Sequence, residues 1–360
     1  MKIGVISSYA CVRTFNNYGA LLQYYALQVY LRERGHDVFW IRSILPQSSI
    51  HIFLKNLKNY RSLRLVYKFY KCHKSFIDFQ KKFLKVSSRE YKGNSDLMVN
   101  TPCADLYITG SDQVWGGMLK ENYLCFVQDP LKKVAYAASF GRNHLDVNQV
   151  NVVKPWIKKF KAISVREKSG VQLCESLFGV HAEHLLDPTL LIDTSHYPTL
   201  NSHKVTNLLY CYFLNVKNDN EVRIEEIRDF ARKLGLSLRI ASCQYSEIFF
   251  KLQELDMPSP EQWLQNYRDA KYIVTNTFHG TVFSIVFRKQ FVTILQSGKS
   301  SPQNDRLISF LSMLGLEDRI ITADQPLDIT ISKPINWDRI EKILVHYREK
   351  TNIFFNAIGV

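Results

Sequence analysis

Polar side chains set directly behind short apolar strands are the features of this 360-residue chain best suited to chemistry. The sharpest case is NTFHGTVFS, Asn276 to Ser284. Tyr272 to Thr275 reads as a strand and an apolar helical pattern begins at Gly280, so His279 falls at a strand end near a helix N-terminus. Free N–H groups and the helix dipole favour an anion at such a place. An anion beside an imidazole favours its charged form, the state needed of a general acid near neutral pH. Thr277, Gly280 and Thr281 join His279 as candidate ligand contacts, with orienting or capping as their other use. The plain reading of the same pattern is a structural histidine.

A second segment, ITGSDQVWGG, runs from Ile108 to Gly117. Gly110 allows close backbone approach, and Ser111 with its neighbouring amides can donate to an oxyanion. Asp112 is the best acidic partner for a hydroxyl, Gln113 adds an amide, and Trp115 could stack on a sugar face. An Asx-type turn with a core tryptophan explains the same residues. In SVREKSG, Ser164 to Gly170, Arg166 follows an apolar strand, a position from which a guanidinium can hold a carboxylate or phosphate. In FNNYGALLQ, Phe15 to Gln23, Asn17 and Gly19 lie in a polar loop ahead of a helix, where phosphates or sugar hydroxyls bind. Arg306 is a further candidate cation at the start of an apolar helix, and Ser139, Phe140 and Gly141 border the same region. The chain has no GxGxxG, Walker A, HExxH or HxE…CxxC pattern, and His181 and His184 lack a third ligand, so no metal or cofactor is expected.

These segments need elements to position them. Lys2 to Ser8 reads as a strand, Tyr18 to Arg34 as a helix ended by Gly35, and Val38 to Ile41 as the next strand. Ala104 to Thr109, Val134 to Ala138 and Ala162 to Val165 continue the strands, with a helix from Val150 to Phe160. Turn-rich sequence from Pro188 to Asn201 marks a domain boundary. A second strand–helix series follows from Leu208, and a last helix starts at Trp337. Such alternation predicts an α/β chain of two Rossmann-like domains facing a cleft, over 1–195 and 196–336. Residues 337–360 would form a helix and tail packing back on the first domain.

The charge is uneven. Between His51 and Lys92 there are twelve Lys or Arg against Asp78 and Glu90, a net +10 of the chain's formal +14. Interleaved Leu and Phe residues fit one or two basic amphipathic helices, either a solvated face or one attracted to anionic lipid. Asn16, Asn17 and Gly19 interrupt any secretory h-region, no apolar run is long enough to span a bilayer, and seven scattered cysteines suit free thiols. A cytoplasmic protein, in peripheral contact with the membrane's inner face, is the expectation.

Together, NNYGALLQYYAL, ITGSDQVW, AYAASFG, SVREKSG, LLDPTLL and VTNTFHGTVFSIVFRKQFV make the chain resemble the polysaccharide pyruvyl transferase family from Lys2 to about Arg319. The resemblance implies a GT-B-like fold and transfer of the enolpyruvyl unit of phosphoenolpyruvate onto two hydroxyls of one sugar, forming a pyruvate ketal. Phosphoenolpyruvate would be a substrate, no cofactor being required, and the acceptor a cell-surface glycan or its undecaprenyl-linked precursor. Carried over by motif, His279 is the general acid and Arg166 a donor-binding arginine. Several family members carry Arg-Leu-His where this chain has Thr277, Phe278 and His279, so Arg306 or Arg288 would supply the missing cation. Two other readings share this architecture: a glycosyltransferase using a nucleotide sugar, and a glycan-binding relative without chemistry. Nucleic-acid binding rests only on the basic segment, with no reading module beside it.

Overall fold

The computed structural model describes residues 1–8, 16–43, 49–60 (side chains from 54), 62–200, 204–322 and 325–360. Phe15 and Asn201, named above, lie outside them. The described residues form two six-stranded sheets, each parallel throughout. The first holds β1 (Lys2–Ile6), β2 (Asp37–Trp40), β3 (Leu106–Thr109), β4 (Lys133–Ala138), β5 (Ala162–Val165) and β6 (Glu183–His184), in the order β2-β1-β3-β4-β5-β6. The second holds β7 (Leu208–Phe213), β8 (Ser237–Ser242), β9 (Leu255–Asp256), β10 (Tyr272–Thr275), β11 (Gln290–Ile294) and β12 (Ile320–Ile321), in the order β12-β11-β10-β7-β8-β9. Parallel sheets covered by helices on both faces need strands that are apolar along their whole length. The LLYCYF of β7 and the KVAYAA of β4 are buried at every position.

Each sheet has one point where chain order reverses, between β1 and β3 in the first and between β7 and β10 in the second. Crevices at the carboxyl ends of strands flanking such points are the usual ligand sites of open α/β sheets. Register makes the segments beyond them emerge side by side. Ile6 pairs with Thr109, so Ser7 and Gly110 leave together. Thr275 pairs with Tyr212, so Asn276 leaves beside Leu214 and fixes it, its side chain bonding Leu214 N at 2.9 Å and Leu214 O at 2.8 Å.

The two sheets meet through aromatic packing. Tyr18, first residue of the helix Tyr18–Glu33, stacks on Trp263 at 5.1 Å and donates to Pro258 O at 2.8 Å. The basic segment forms two helices, Ser49–Tyr60 and Leu63–Phe83. The second buries Val66, Phe69, Cys72, Phe76 and Phe79, with each apolar side chain contributing roughly 1.5–3 kcal/mol. This pair reaches the second sheet as well: Tyr60 donates to Glu247 at 3.0 Å and Tyr245 to Asn56 at 2.9 Å. The terminal helix Trp337–Ala357 runs on to the first sheet's side, where Phe355 packs on Tyr30 and Tyr136 and Arg34 donates to Val360 O at 2.8 Å. The two-residue edge strands β6, β9 and β12 have no period readable in the sequence.

Candidate active site

The helix after β10 begins two residues earlier than the sequence pattern implied. It spans Phe278–Val286, with Thr277 as N-cap accepting from Gly280 N at 2.8 Å. His279 therefore sits inside the first turn. The first-turn N–H groups of Phe278 and His279 have no acceptor among the described residues. A cavity of about 220 Å³ opens here, bounded by Ser8 and Asn17 from the first strand's loop, Asp112 and Gln113 beyond β3, Tyr212 and Asn215 around the end of β7, and Thr277, His279, Gln303 and Arg306. It therefore lies at the reversal points of both sheets, between their carboxyl ends.

Behind His279 is a residue that the sequence reading left unassigned, Asp187. Its Oδ2 accepts from Ser111 Oγ at 2.6 Å and from Arg166 Nη1 at 2.8 Å, while its Oδ1 accepts from Thr189 N at 3.0 Å. His279 Nε2 lies 3.5 Å from the same Oδ2, a charge contact longer than a formed hydrogen bond. Burial pushes the Asp187 carboxyl up, but His279 and Arg166, with the Ser111 hydroxyl, outweigh it and leave Asp187 well below the usual carboxylate range. A fixed carboxylate behind an imidazole sets the orientation of its ring. His279 Nε2, turned to Asp187, is buried and has no formed hydrogen bond among the described residues, while Nδ1 lies against Gly19. The signal for Asp187 was present in LLDPTLL, where Asp-Pro-Thr after an apolar pair is an Asx-capped turn.

Asp112 sits at φ 87°, a left-handed conformation that costs a non-glycine residue about 1–3 kcal/mol and is typically retained at functional sites. Its carbonyl is pinned by Ser139 N at 3.0 Å and Val114 N at 2.7 Å. Burial raises its pKa, but Arg166, His279 and Arg306 together bring it below the ordinary value, so it is ionised at neutral pH. Glu167, held above its ordinary value by burial, accepts from Ser139 Oγ and Phe140 N, both at 2.9 Å, and so fixes the loop after β4. Arg306 reaches the cavity from the helix Asn304–Leu314; burial, then the neighbouring Arg166 charge, lower it to about 10, still cationic at neutral pH.

Several expected contacts are placed otherwise. Arg166 is not at the cavity wall: its side chain is 1% exposed, paired with Asp187, 3.8 Å from Asp112 and lying 4.1 Å over the Phe278 ring. It holds the carboxylates from beneath, and Arg306 is the cation that meets the cavity. Ser111 is committed to Asp187, so it has no proton to offer an oxyanion. Trp115 is fully buried between Tyr123, Phe140 and Phe160, its Nε1 donating to Asn122 O, and offers no face to a sugar. Thr281 turns to the sheet, bonding Thr277 O and Thr293 Oγ1. Gly280 has spent its amide on the cap; a Cβ there would lie 2.1 Å from Thr275 Oγ1. Gly19 serves His279 rather than a ligand, since a Cβ on it would lie 2.2 Å from the imidazole Cγ. Arg288, at the far end of the helix, is paired with Glu341. Asn17, Asp112, Gln113, Thr277, His279 and Arg306 do border the cavity. Among the described residues no group of three or more His, Cys, Asp or Glu could hold a metal ion.

A family model described as polysaccharide pyruvyl transferase matches residues 17–298. No curated protein matches the chain. Among solved structures, a UDP-GlcNAc 2-epimerase from Methanocaldococcus jannaschii is 13% identical over 96% of this chain and 99% of its own, at a TM-score of 0.55. A UDP-N-acetylglucosamine 2-epimerase from Rickettsia bellii is 7% identical over 100% of this chain and 97% of its own, at 0.54. An alpha-glucosyltransferase in complex with UDP-glucose and DNA is 10% identical over 98% and 94%, at 0.50. At such identities the likeness is one of fold, the GT-B arrangement of two parallel-sheet domains about a cleft.

Proposed function

This chain belongs to the polysaccharide pyruvyl transferase family, and from that premise we propose that it transfers the enolpyruvyl unit of phosphoenolpyruvate to a sugar diol and releases phosphate. The observation that carries this reading is the Asp187–His279 pair opening into a cavity that also holds Arg306 and two free first-turn amides. An acid and anion-holding groups within one small cleft are what the reaction requires.

In this reading His279 delivers a proton to the methylene carbon of the donor, the Asp187 carboxylate setting its ring. The donor's C2 becomes an oxocarbenium-like centre. One sugar hydroxyl adds there and gives up its proton to the ionised Asp112, a carboxylate that lines the cavity. Cleavage of the C2–O bond then releases phosphate toward Arg306 and the Phe278 and His279 amides. The second hydroxyl adds at C2, loses its proton and closes the ketal. Phosphoenolpyruvate and a diol thus give ketal and inorganic phosphate, with no change of oxidation state. An adjoining cavity of about 290 Å³ shares Gln113 and Gln303 and adds Arg142 and Lys299; it is the space for the acceptor.

The acceptor we propose is a glycan on an undecaprenyl carrier. What supports it is the family's polysaccharide substrate together with the exposed face of the helix Leu63–Phe83, where Leu63 and Tyr67 stand 71% and 70% exposed among Lys71, Lys74, Lys81 and Lys82. No helix among the described residues is long and apolar enough to cross a membrane, so contact would be peripheral. The test is phosphate release from phosphoenolpyruvate with a panel of lipid-linked sugars, comparing wild type with His279→Ala. Acceptor-dependent release with a pyruvylated product, reduced about 10²–10⁴-fold in the variant, is expected. No release from folded protein across the panel, with turnover of a nucleotide sugar instead, would replace this reading by glycosyl transfer.

A further inference from the structure

A cavity of about 790 Å³ lies at the opposite end of the helix that carries His279. Three separate parts of the chain wall it: the Leu190 to Ser195 segment leaving the first sheet, the helix end Ile285 to Lys289, and the terminal helix at Glu341, Leu344 and Arg348. Arg268 closes it from the second domain. Nothing in the transfer chemistry uses this space.

Its charge is unbalanced. Arg268, Arg288, Lys289 and Arg348 border it against two carboxylates, Asp193 and Glu341. Glu341 is shared, accepting from Arg348 at 2.6 Å and Arg288 at 3.4 Å. Arg268 is engaged with Thr199 and Gln265. Lys289 is different. It is 8% exposed, and the carboxylate that acts on its ammonium is Asp269, without a formed hydrogen bond or salt bridge among the described residues. Its placement is fixed by the turn that ends the helix: Arg288 takes φ 50° and Lys289 N donates to Ser284 O at 2.8 Å. Burial lowers the Lys289 pKa to about 8, a fall that the Asp269 charge only partly offsets. Long charged side chains are rarely buried to this degree unless something pairs with them.

We propose that this cavity binds a small soluble organic phosphate, with the phosphoryl group on Lys289 and Arg348 and the carbon skeleton against Leu190, Ile285 and Leu344. A dianionic group matches the formal excess of two positive charges, and the volume is that of a small-molecule site. The ligand bridges the inter-domain segment, the base of the His279 helix and the terminal helix. Occupancy therefore stiffens the support of the catalytic histidine from behind, at a place the reacting groups never touch.

Because the cleft also binds anions, the test must separate two sites. Inorganic pyrophosphate is titrated calorimetrically into the full chain as wild type, Lys289→Gln and Arg306→Gln. Two classes of site are expected in wild type. Lys289→Gln should weaken one class about tenfold or more and leave the other, Arg306→Gln should do the reverse, and Lys289→Arg should restore the first. As Lys289 makes no hydrogen bond or salt bridge among the described residues, its variant should fold, checked by its melting curve. Glycerol phosphate should displace pyrophosphate from the Lys289-dependent class. Isotherms that are the same for wild type and Lys289→Gln would overturn the proposal, whatever Arg306→Gln shows and whether or not pyruvyl transfer is the reaction.

Discussion

Gly19→Ala is the most searching perturbation of the candidate site, because it adds one methyl group that no ligand touches. An alanine Cβ at this position would lie 2.2 Å from both Cγ and Nδ1 of His279 and 2.5 Å from its Cβ. Ordinary carbon contacts are about 3.5 Å or more, so the ring must recede by roughly 1 Å. The atoms in the way belong to the root of the side chain, and a rotamer change cannot clear them. Overpacking of this kind costs about 1–3 kcal/mol. Against it, alanine gains about 1 kcal/mol over glycine inside a helix, and residue 19 lies within Tyr18–Glu33. The net loss of stability should therefore be small, about 0–2 kcal/mol by that difference. Activity should respond far more, since a misplacement of about 1 Å at a reacting group can cost about a hundredfold. The assay pairs urea unfolding with acceptor-dependent phosphate release at saturating donor. A stable Gly19→Ala protein with wild-type turnover would refute the reasoning: the imidazole would not need the position in which the helix Tyr18–Glu33 holds it.

Asp187→Asn removes the negative partner of buried Arg166 and should destabilise by about 3 kcal/mol, read as a lower urea midpoint. Since the Asp187 pKa is depressed in the folded state, its stabilisation is complete above the unfolded value of about 4 and is lost as pH falls below it. The acid limb of the wild type should thus be steeper than that of the variant, and equal limbs would contradict this. Glu247 behaves oppositely. Burial raises it to about 7, so the native state keeps a proton that the unfolded chain releases above about pH 4.3. Stability should decline between about pH 5 and 7, by up to about 1.4 kcal/mol per unit, and Glu247→Gln should flatten that slope in urea midpoints taken at pH 5, 6, 7 and 8. For the basic helices, flotation with phosphatidylglycerol vesicles should recover wild type at low salt, and Leu63→Ser with Tyr67→Ser should reduce recovery severalfold. Equal recovery would place the membrane contact elsewhere.

Local pattern was enough to read most of the framework. Apolar runs bounded by glycine and polar clusters marked the nine longer strands around the cleft, because a strand buried on both faces has little choice of residue. β5 and β10 begin and end where their sequences imply. The two-residue strands β6, β9 and β12 were invisible for the complementary reason: an edge pairing that short is made by its neighbour, not by its own residues.

Chemistry divided along the same line. The sequence by itself determined that a histidine, an arginine-bearing turn and a glycine-rich strand end would stand at the carboxyl edges of parallel sheets, because strand–turn–helix order fixes which end of a strand a residue leaves from. It also identified the family, through motifs whose order survives where their geometry cannot be seen. Only the tertiary structure decided which groups meet the cavity and which lie beneath it. Arg166 and Arg306 are equally plausible anion ligands on paper, yet two buried carboxylates, Asp187 and Asp112, draw the first under the floor and leave the second at the surface of the cleft. Trp115 and Thr281 were assigned to the ligand because their types suit it, and packing turned both inward. Asp187, Gly19 and His279 are each more than ninety residues apart along the chain, and nothing local couples them. Their meeting depends on two sheets docking through Tyr18 and Trp263, a long-range contact whose free energy is set by aromatic surface removed from water rather than by any motif.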